Sequence, residues 1–336
     1  MSPFKVVITD FGDLNHDLEA QMLRASGLDI NLVRLLNPVT LGQTRVPEEL
    51  IPHVADADAV IVQWATINRQ VIEAMTRCKV ISRYGIGVDM VDVQAAAEHG
   101  IPVANVPDFC IEEVSDSTIG FILNINRRTF ILDRYVRSGG WGSTRPIPYW
   151  PPSRLRGQTL GIVGLGNIGR TVAQKADCLG LKLLGHDPYV QPEQAVELGV
   201  ESVMLDELLR RSDYVSLHCP LIAETRGLIG AAQLALMKPT AFLINMARGP
   251  VVVQSALYEA LVSHTIAGAA LDVLEQEPPR PDDPLLQLDN VIITPHAASG
   301  SIEAATQLRR DTIQNVVDVL QGKLPRSIVN RKALGW

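Results

Sequence analysis

The chain has 336 residues and a mass of 36.6 kDa, so at about 150 residues per domain its length predicts two domains or one large one. Its 30 basic and 37 acidic residues leave a net charge of −7, which argues against nucleic acid or an anionic membrane as a partner. A hydrophobic content of 46% with only 20% charged residues is typical of buried parallel strands flanked by helices. We therefore expect a folded protein whose partner is a small molecule.

The four cysteines form no CxxC pair and no cluster with histidine at metal-ligand spacing. They are Cys78, Cys110, Cys178 and Cys219. We expect reduced core thiols and no metal site. No apolar stretch reaches the ~18 residues of a membrane-spanning helix, and the first apolar run is too short for a signal peptide. These features predict a cytoplasmic protein.

Short β-branched runs alternate with helical patterns along the chain, which predicts repeated βαβ units and an α/β fold. The first strands are expected at 6–8, 31–36, 59–63, 80–83 and 101–105, with a helix over 17–26 that ends at Gly27. One long continuous helix is expected from Ile111 to Arg137. The glycine- and proline-rich stretch over 138–152 then predicts a change of domain.

A second series of strands is expected at 159–163, 181–185, 214–218, 241–245, 267–271 and 291–294. A helix over 301–321 follows, and the tail after Gly322 is expected to pack loosely. The two series together predict two α/β domains.

The segment TLGIVGLGNIGR at 159–170 places a GxGxxG motif directly after a predicted strand and directly before a predicted helix. Gly164 permits the tight turn, Gly166 lets the backbone approach a pyrophosphate, and Gly169 lets helix and strand pack closely. The N–H groups of Asn167 and Ile168 are expected to face the phosphates at the helix N-terminus. This context predicts a dinucleotide-binding site.

Asp187 ends the next predicted strand, 18 residues beyond Gly169 and close to the ~20 expected for an acidic residue that binds the ribose. A carboxylate there accepts hydrogen bonds from both ribose hydroxyls and repels a 2′-phosphate, so the expected cofactor is NAD rather than NADP. The alternative is that Asp187 only caps the turn at Pro188.

Three further polar residues lie at or just beyond predicted strand ends, where open α/β sheets bind their ligands. They are Arg248, Glu277 and His296. Each also has a structural explanation: a surface arginine, a solvated loop glutamate, and a capping or core histidine.

Seven segments follow one another between Val80 and Val319: RYGIGVDMVD, GLGNIGR, HDPY, LHCPL, NMARG, AGAALDVLEQEP and TPHAA. In this order they resemble the D-isomer-specific 2-hydroxyacid dehydrogenases, a family that includes phosphoglycerate dehydrogenases and the C-terminal-binding-protein corepressors. The resemblance implies two Rossmann/flavodoxin-like domains with parallel sheets. A cofactor domain (107–299) would be inserted into a discontinuous substrate domain (1–106 plus 300–336).

The resemblance also implies a homodimer formed through the long helix, in which four apolar residues face the partner: Ile119, Phe121, Ile122 and Ile125. The alternative for these side chains is packing within the chain.

For the reaction, the resemblance implies that His296 is the general acid/base and that Glu277 orients its imidazole and favours the charged form. Arg248 would bind the substrate carboxylate, polarise the 2-oxo group and contact the cofactor. Further implied cofactor contacts are Thr118, Cys219, Pro220, Met246, Ala247 and Asp272. For Thr118 the alternative is a hydroxyl packed inside its helix.

The loop RYGIGVD is the implied substrate loop, in which backbone N–H groups meet the substrate carboxylate. Its substrate-binding residues would be Arg83, Gly85, Ile86 and Gly87, together with Arg248 and His296. Arg83 is expected either to bind a second acidic group or to form a structural ion pair, and Trp64 is a further candidate for lining the pocket.

The sequence departs from the family pattern at several positions. Met90 replaces a frequent Asn, and Ser299 stands where the corepressors have Trp. Pro250, Val253 and Gln254 alter the cap of the following helix, which is expected to affect local stability more than chemistry.

The resulting prediction is an NAD-dependent enzyme that interconverts a small 2-oxo acid and its D-2-hydroxy acid. One alternative is an NAD(H)-sensing corepressor or assembly protein with little turnover. A second alternative, within the family, is phosphite oxidation, which also uses an Arg/Glu/His set.

Overall fold

The computed structural model describes residues 3–10, 17–35, 46–142 and 153–336. By its internal contacts the chain divides into two compact units: residues 1–109 with 300–336, called the first unit, and residues 110–299, called the second unit. Each unit contains one sheet in which every strand pair is parallel. The predicted fold class, α/β with two parallel sheets, is confirmed.

Within the described residues, the first unit begins with five strands and four helices. They are β1 (Phe4–Ile8), α1 (Asp17–Ala25), β2 (Ile30–Arg34), α2 (Pro47–Val54), β3 (Ala59–Val62), α3 (Arg69–Glu73), β4 (Ile81–Arg83), α4 (Val93–Glu98) and β5 (Val103–Ala104). The strands lie in the order β2-β1-β3-β4-β5. Gly27 has φ +74° and follows α1 in the left-handed conformation expected of a helix cap.

The second unit has a seven-stranded sheet, and the chain then returns to the first unit in one helix. The elements are α5 (Ile111–Arg127), α6 (Thr129–Arg137), β6 (Thr159–Val163), α7 (Asn167–Cys178), β7 (Lys182–His186), α8 (Pro192–Val196), β8 (Glu201–Ser202), α9 (Leu205–Arg211), β9 (Tyr214–Leu217), α10 (Ala231–Leu234), β10 (Phe242–Asn245), α11 (Gln254–Val262), β11 (Gly268–Leu271), β12 (Val291–Ile293) and α12 (Ile302–Leu320).

The strands of the second unit lie in the order β12-β11-β10-β9-β6-β7-β8, so the order reverses between β6 and β9. In an open parallel sheet the carboxyl edge at such a reversal is where ligands bind. The loops that follow β6, β9, β10, β11 and β12 all leave the sheet at this edge. They contain the glycine motif and the predicted catalytic residues.

The prediction of one continuous helix over 111–137 is wrong. Arg128 has φ +57° and separates α5 from α6, and Asn124 Oδ1 accepts the N–H of Phe130 at 3.0 Å as the second helix begins. The sequence on both sides of the break has helical periodicity, so the pattern does not reveal a left-handed residue between them.

Apolar side chains of α5 are buried within the chain. Phe121, Ile122 and Ile125 are 9%, 0% and 4% exposed. Packing within the chain therefore accounts for these three residues, and they offer no surface to a partner. The homodimer itself stays a prediction.

Two smaller expectations are also wrong. The tail after Gly322 is anchored: Asn330 is buried, its Oδ1 accepts the N–H of Val103, and its Nδ2 donates to Ile101 O, both at 2.9 Å. Cys178 is exposed, so it is not a core thiol. The short strand β8 was not predicted, because its two residues are exposed and polar.

The last residue of the predicted strand 31–36 and residues 143–152 of the predicted domain change lie outside the described ranges. Within those ranges, no helix combines the length and the apolar character needed to cross a membrane. Over the same residues, no group of three or more His, Cys, Asp and Glu side chains is placed to hold a metal ion.

Candidate active site

The glycine loop between β6 and α7 is shaped by contacts that exclude side chains. Gly164 has φ +95°, and a Cβ there would lie 2.7 Å from the backbone N of Cys219. A Cβ on Gly169 would lie 2.0 Å from the carbonyl oxygen of Gly164. Glycine is therefore required at both positions by neighbouring backbone atoms.

Gly166 is different, because a Cβ there would meet no atom within 4 Å. It precedes the twelve-residue helix α7, whose first N–H groups, including those of Asn167 and Ile168, have no acceptor within the helix. Open space beside a helix N-terminus fits the close approach of a phosphate group. The residues of this loop therefore fit a dinucleotide.

Asp187, just beyond β7, connects the glycine loop to the turn that follows. Its Oδ2 accepts the N–H of Leu165 at 2.8 Å, and its Oδ1 accepts the N–H of Tyr189 at 2.9 Å. A carboxylate has about four acceptor positions, so each oxygen keeps capacity for a ribose hydroxyl. Capping of the turn accounts for only one of the two observed bonds.

The remaining predicted cofactor residues are mostly buried at the same edge of the sheet. Cys219, Met246 and Ala247 are 7–8% exposed, while Pro220 is exposed. Burial raises the pKa of the Cys219 thiol to about 11, so it is a neutral thiol near pH 7. Thr118 is fully buried and donates to Val114 O at 2.8 Å, which is the packed-hydroxyl alternative. Its cofactor contact stays a prediction.

His296 and Glu277 form a direct pair. His296 Nδ1 lies 2.7 Å from Glu277 Oε2, and Glu277 Oε1 accepts the N–H of Leu274 at 2.9 Å. Burial acts to raise the pKa of the Glu277 carboxyl, but the hydrogen bond and charge of His296, the Leu274 N–H and the charge of Arg248 lower it overall. Glu277 is therefore ionised near neutral pH and orients the imidazole through its Nδ1.

Asp272, at the end of β11, holds the loop that carries His296. The residue is 4% exposed, and its carboxylate accepts hydrogen bonds from Thr294 Oγ1 (2.6 Å), Ala297 N (3.0 Å) and Ala298 N (3.1 Å). Its backbone carbonyl accepts the N–H of His296 at 2.8 Å. The sequence indicated only a cofactor contact for Asp272, and its part in shaping the histidine loop was missed.

Arg248 follows β10 in a turn held by Asn245. Asn245 is 1% exposed, its Nδ2 donates to Arg248 O at 2.9 Å, and its Oδ1 accepts the N–H of Ala247 at 3.0 Å. A Cβ on the next residue, Gly249, would lie 1.8 Å from Leu274 O, so the loops after β10 and β11 touch. Asn245 was missed, although a polar residue ending the apolar strand FLIN is a recognisable signal.

The predicted substrate loop lies in the first unit. Gly85 has φ +142°, and a Cβ there would overlap the Arg83 guanidinium. The carbonyl of Gly85 accepts the N–H of Val106 at 3.0 Å, and that of Ile86 accepts Asn105 Nδ2 at 2.7 Å. In a trans peptide the N–H points opposite to the C=O, so the N–H groups of Ile86 and Gly87 point away from these partners.

Arg83 itself is 6% exposed, and its guanidinium carbon lies 5.7 Å from the centre of the Trp64 ring. The loop that carries Trp64 is held by Asp10, a buried carboxylate that accepts the N–H groups of Gln63 (3.1 Å), Trp64 and Ala65 (3.0 Å). The sequence did not single out Asp10, although an aspartate two residues beyond an apolar strand is a usable signal.

Similarity to known proteins agrees with this arrangement. The sequence profile described as "D-isomer specific 2-hydroxyacid dehydrogenase, NAD binding domain" matches residues 119–298, all within the second unit. A glyoxylate reductase of Korarchaeum cryptofilum is 41% identical over 85% of this chain and 86% of its own length. A D-3-phosphoglycerate dehydrogenase of Methanocaldococcus jannaschii is 40% identical over 90% of this chain but only 57% of its own length.

A crystal structure of D-lactate dehydrogenase from Aquifex aeolicus, complexed with NAD and lactic acid, is 27% identical, with a TM-score of 0.83. The similarity covers 97% of this chain and 99% of that one.

The chain belongs to the D-isomer specific 2-hydroxyacid dehydrogenase family. It is an NAD-dependent dehydrogenase that acts on the CH–OH group of D-2-hydroxy acids, so the predicted enzyme class and cofactor are confirmed.

Proposed function

We propose that this enzyme interconverts a small 2-oxo acid and its D-2-hydroxy acid, with His296 as general acid/base, Glu277 as its partner and Arg248 as the carboxylate ligand. The observation that carries the proposal is the 2.7 Å contact between His296 Nδ1 and Glu277 Oε2. The pair lies at the sheet edge that also carries Arg248 and the glycine loop. A proton donor and a dinucleotide loop at one edge are what carbonyl reduction requires.

In this proposal His296 and Glu277 have separate roles in the proton transfer. NADH supplies the hydride for the 2-oxo carbon when it is bound. Glu277 holds Nδ1 of His296, and we propose that Nε2 donates a proton to the 2-oxo oxygen. In the oxidation direction Nε2 accepts the hydroxyl proton. In both directions Glu277 orients the imidazole through Nδ1.

Arg248 suits the carboxylate because a guanidinium binds it through two parallel hydrogen bonds. The Asn245 turn holds the arginine backbone, so we propose that its position is preset before substrate binds. The other predicted substrate residues, Arg83, Gly85, Ile86 and Gly87, belong to the first unit, for which we propose the substrate-binding role. For the second unit we propose the cofactor-binding role.

The substrate class follows the family and the relatives. Candidates are glyoxylate, hydroxypyruvate and pyruvate, and phosphohydroxypyruvate if Arg83 binds a second acidic group. For the cofactor, Asp187 supports a preference for NAD over NADP, since its carboxylate repels a 2′-phosphate. We further propose a homodimer, which light scattering of the purified chain tests directly.

The test is an NADH-oxidation screen over these four 2-oxo acids with the wild type, His296→Ala and a matched control, His53→Ala. His53 is an exposed histidine of α2. We expect turnover of at least one acid, unchanged in His53→Ala, and a kcat lower by about 10²–10⁴-fold in His296→Ala. NADH affinity, measured by fluorescence titration, is expected to be the same in all three proteins.

Full activity of His296→Ala would refute the role of the histidine. Tight NADH binding without oxidation of any acid would instead favour the corepressor-like alternative.

A further inference from the structure

Gln254, the first residue of α11, bridges two segments beside the catalytic pair. Its Oε1 accepts the N–H of Glu275 at 3.1 Å, and its Nε2 donates to Asp283 Oδ2 at 2.8 Å. These partners are 21 and 29 residues away along the chain. Both partners lie outside α11, so the amide of Gln254 is directed away from its own helix. The preceding residue, Val253, makes no side-chain capping bond to the helix.

The segment that Gln254 holds is the one that presents Glu277. Glu275 lies between Leu274, whose N–H donates to Glu277 Oε1, and Glu277 itself. On the other side of the peptide, Leu274 packs against Gly249 so closely that a Cβ there would lie 1.8 Å from Leu274 O. The Leu274–Glu275 peptide is therefore held by a steric contact at its carbonyl and by the hydrogen bond that its N–H donates to Gln254 Oε1.

The two contacts require an amide at this position. The Glu275 N–H is a donor, so it needs an acceptor oxygen. Asp283 is an acceptor, because its Oδ2 takes the Gln254 N–H and its Oδ1 accepts the N–H of Leu285 at 2.9 Å. A glutamate at position 254 has no N–H to donate and would place a second carboxylate against Asp283.

We propose that Gln254 is a positioning residue for the reaction, which holds the Leu274–Glu277 loop so that Glu277 meets His296. The inference rests on the proposed roles of Glu277 and His296. It changes the interpretation of this departure from the family pattern: the substitution acts on the catalytic loop rather than only on the cap of α11.

The first test compares Gln254→Glu with the wild type. Loosening the loop is expected to lower kcat about tenfold or more, because small misplacements of catalytic groups have effects up to about 10². The KM of the 2-oxo acid and the affinity for NADH stay unchanged, since neither ligand contacts Gln254 in this scheme.

The pH profile of kcat separates positioning from a general loss of stability. In Gln254→Glu the loosened loop is expected to lose the hydrogen bonds of Glu277 to Leu274 and His296. These bonds lower the pKa of Glu277, whereas burial raises that pKa and remains. The acid limb of kcat therefore moves to higher pH in Gln254→Glu.

A double variant provides the rescue. In Gln254→Glu combined with Asp283→Asn, the second substitution supplies the N–H donor and removes the opposing charge, so the bridge forms again with its direction reversed. We expect kcat and the acid limb to return toward wild type.

Gln233→Ala is the matched control. Gln233 also accepts a backbone N–H, that of Gly230 at 3.3 Å, and this bond lies at the start of α10.

A wild-type kcat and acid limb in Gln254→Glu would overturn the inference, even if the free energy of unfolding falls. So would a double variant no better than the single one, or a Gln233→Ala variant with the same kinetic changes. Full activity of His296→Ala would overturn the proposed function itself. An inactive His296→Ala together with a wild-type Gln254→Glu would refute only the positioning role.

Discussion

The glycine loop of the second unit and the loops that carry the proposed catalytic residues Arg248, Glu277 and His296, called the catalytic loops, leave the same edge of one sheet. They are held in different ways. In the glycine loop, Gly164 and Gly169 are fixed by backbone atoms that leave no room for a Cβ. The catalytic loops are held by side chains that bond backbone groups: Asn245 does so within its own turn, and Asp272 and Gln254 do so across the chain. The steric contacts are made to backbone atoms, within the motif for Gly169 and at Cys219 for Gly164. The hydrogen bonds are made by side chains, and those of Asp272 and Gln254 join residues more than 20 positions apart.

Gly249 shows that the two mechanisms can meet. It follows Arg248 in a loop held by side-chain hydrogen bonds. Like Gly164 and Gly169, however, it allows close contact with backbone atoms, here those of Leu274. The catalytic loops are thus aligned by one steric contact and stabilised by several hydrogen bonds.

The largest expected effect separates the two kinds of glycine within the motif. Gly169→Ala places a methyl group 2.0 Å from Gly164 O, and overpacking against backbone is expected to reduce the free energy of unfolding by about 3 kcal/mol. Gly166→Ala meets open space, so its stability is expected to change little while NADH affinity falls at least about tenfold. Urea denaturation and NADH fluorescence titration measure the two effects.

Normal NADH binding by Gly166→Ala would contradict the approach of the pyrophosphate to this backbone. A stable Gly169→Ala would contradict the steric account of the loop.

An intermediate effect on stability and activity is expected when the side-chain hydrogen bonds of the Arg248 turn are removed. Asn245→Ala leaves Ala247 N and Arg248 O without their partner, at a cost of about 2 kcal/mol in unfolding free energy. Because the arginine turn is no longer held, kcat/KM for the 2-oxo acid falls while NADH affinity is retained. Asn290→Ala, whose amide makes only contacts of 3.3–3.4 Å, is the control and is expected to retain kcat/KM. Equal losses in both variants would argue against a specific role for Asn245.

The smallest expected effect is a pH dependence of stability. The pKa of Glu277 is lowered in the folded protein, so its ionised form contributes stability above the usual value of 4.5, and this contribution disappears as pH falls through the lower folded value. The stability advantage of the wild type over Glu277→Gln is therefore expected to be larger at about pH 7 than at about pH 4. Chemical denaturation at both pH values measures it, and a pH-independent difference would contradict the assignment.

The contrast between the two regions also explains what sequence reasoning found. The alternation of strands and helices was evident from periodicity. The glycine motif identified its own loop because the spacing of its glycines and its place between a strand and a helix are local in the sequence, although Gly164 also packs against Cys219. Arg248, Glu277 and His296 were singled out by their places at strand ends and by the family resemblance, and their roles stay proposals. The contact of His296 with Glu277 was implied by that resemblance, and the structure supplies its length of 2.7 Å.

Residues that support the site were harder to find. Asn245 and Asp10 are polar residues at or just beyond the ends of apolar strands. The sequence contains this signal, but the signal does not show whether such a side chain contacts a ligand or holds a loop in place. The break at Arg128 has no composition signal, because arginine is a good helix former and its left-handed conformation depends on what packs around it.

The sequence by itself determined the α/β class, the position of the dinucleotide loop and the family, because these depend on local periodicity and on short motifs. The tertiary structure alone decided which N–H groups Asp272 and Gln254 hold, and how α5 ends. The physical reason is that a hydrogen bond between residues 21 to 29 positions apart exists only when the strands between them have brought the two loops to the same edge of the sheet.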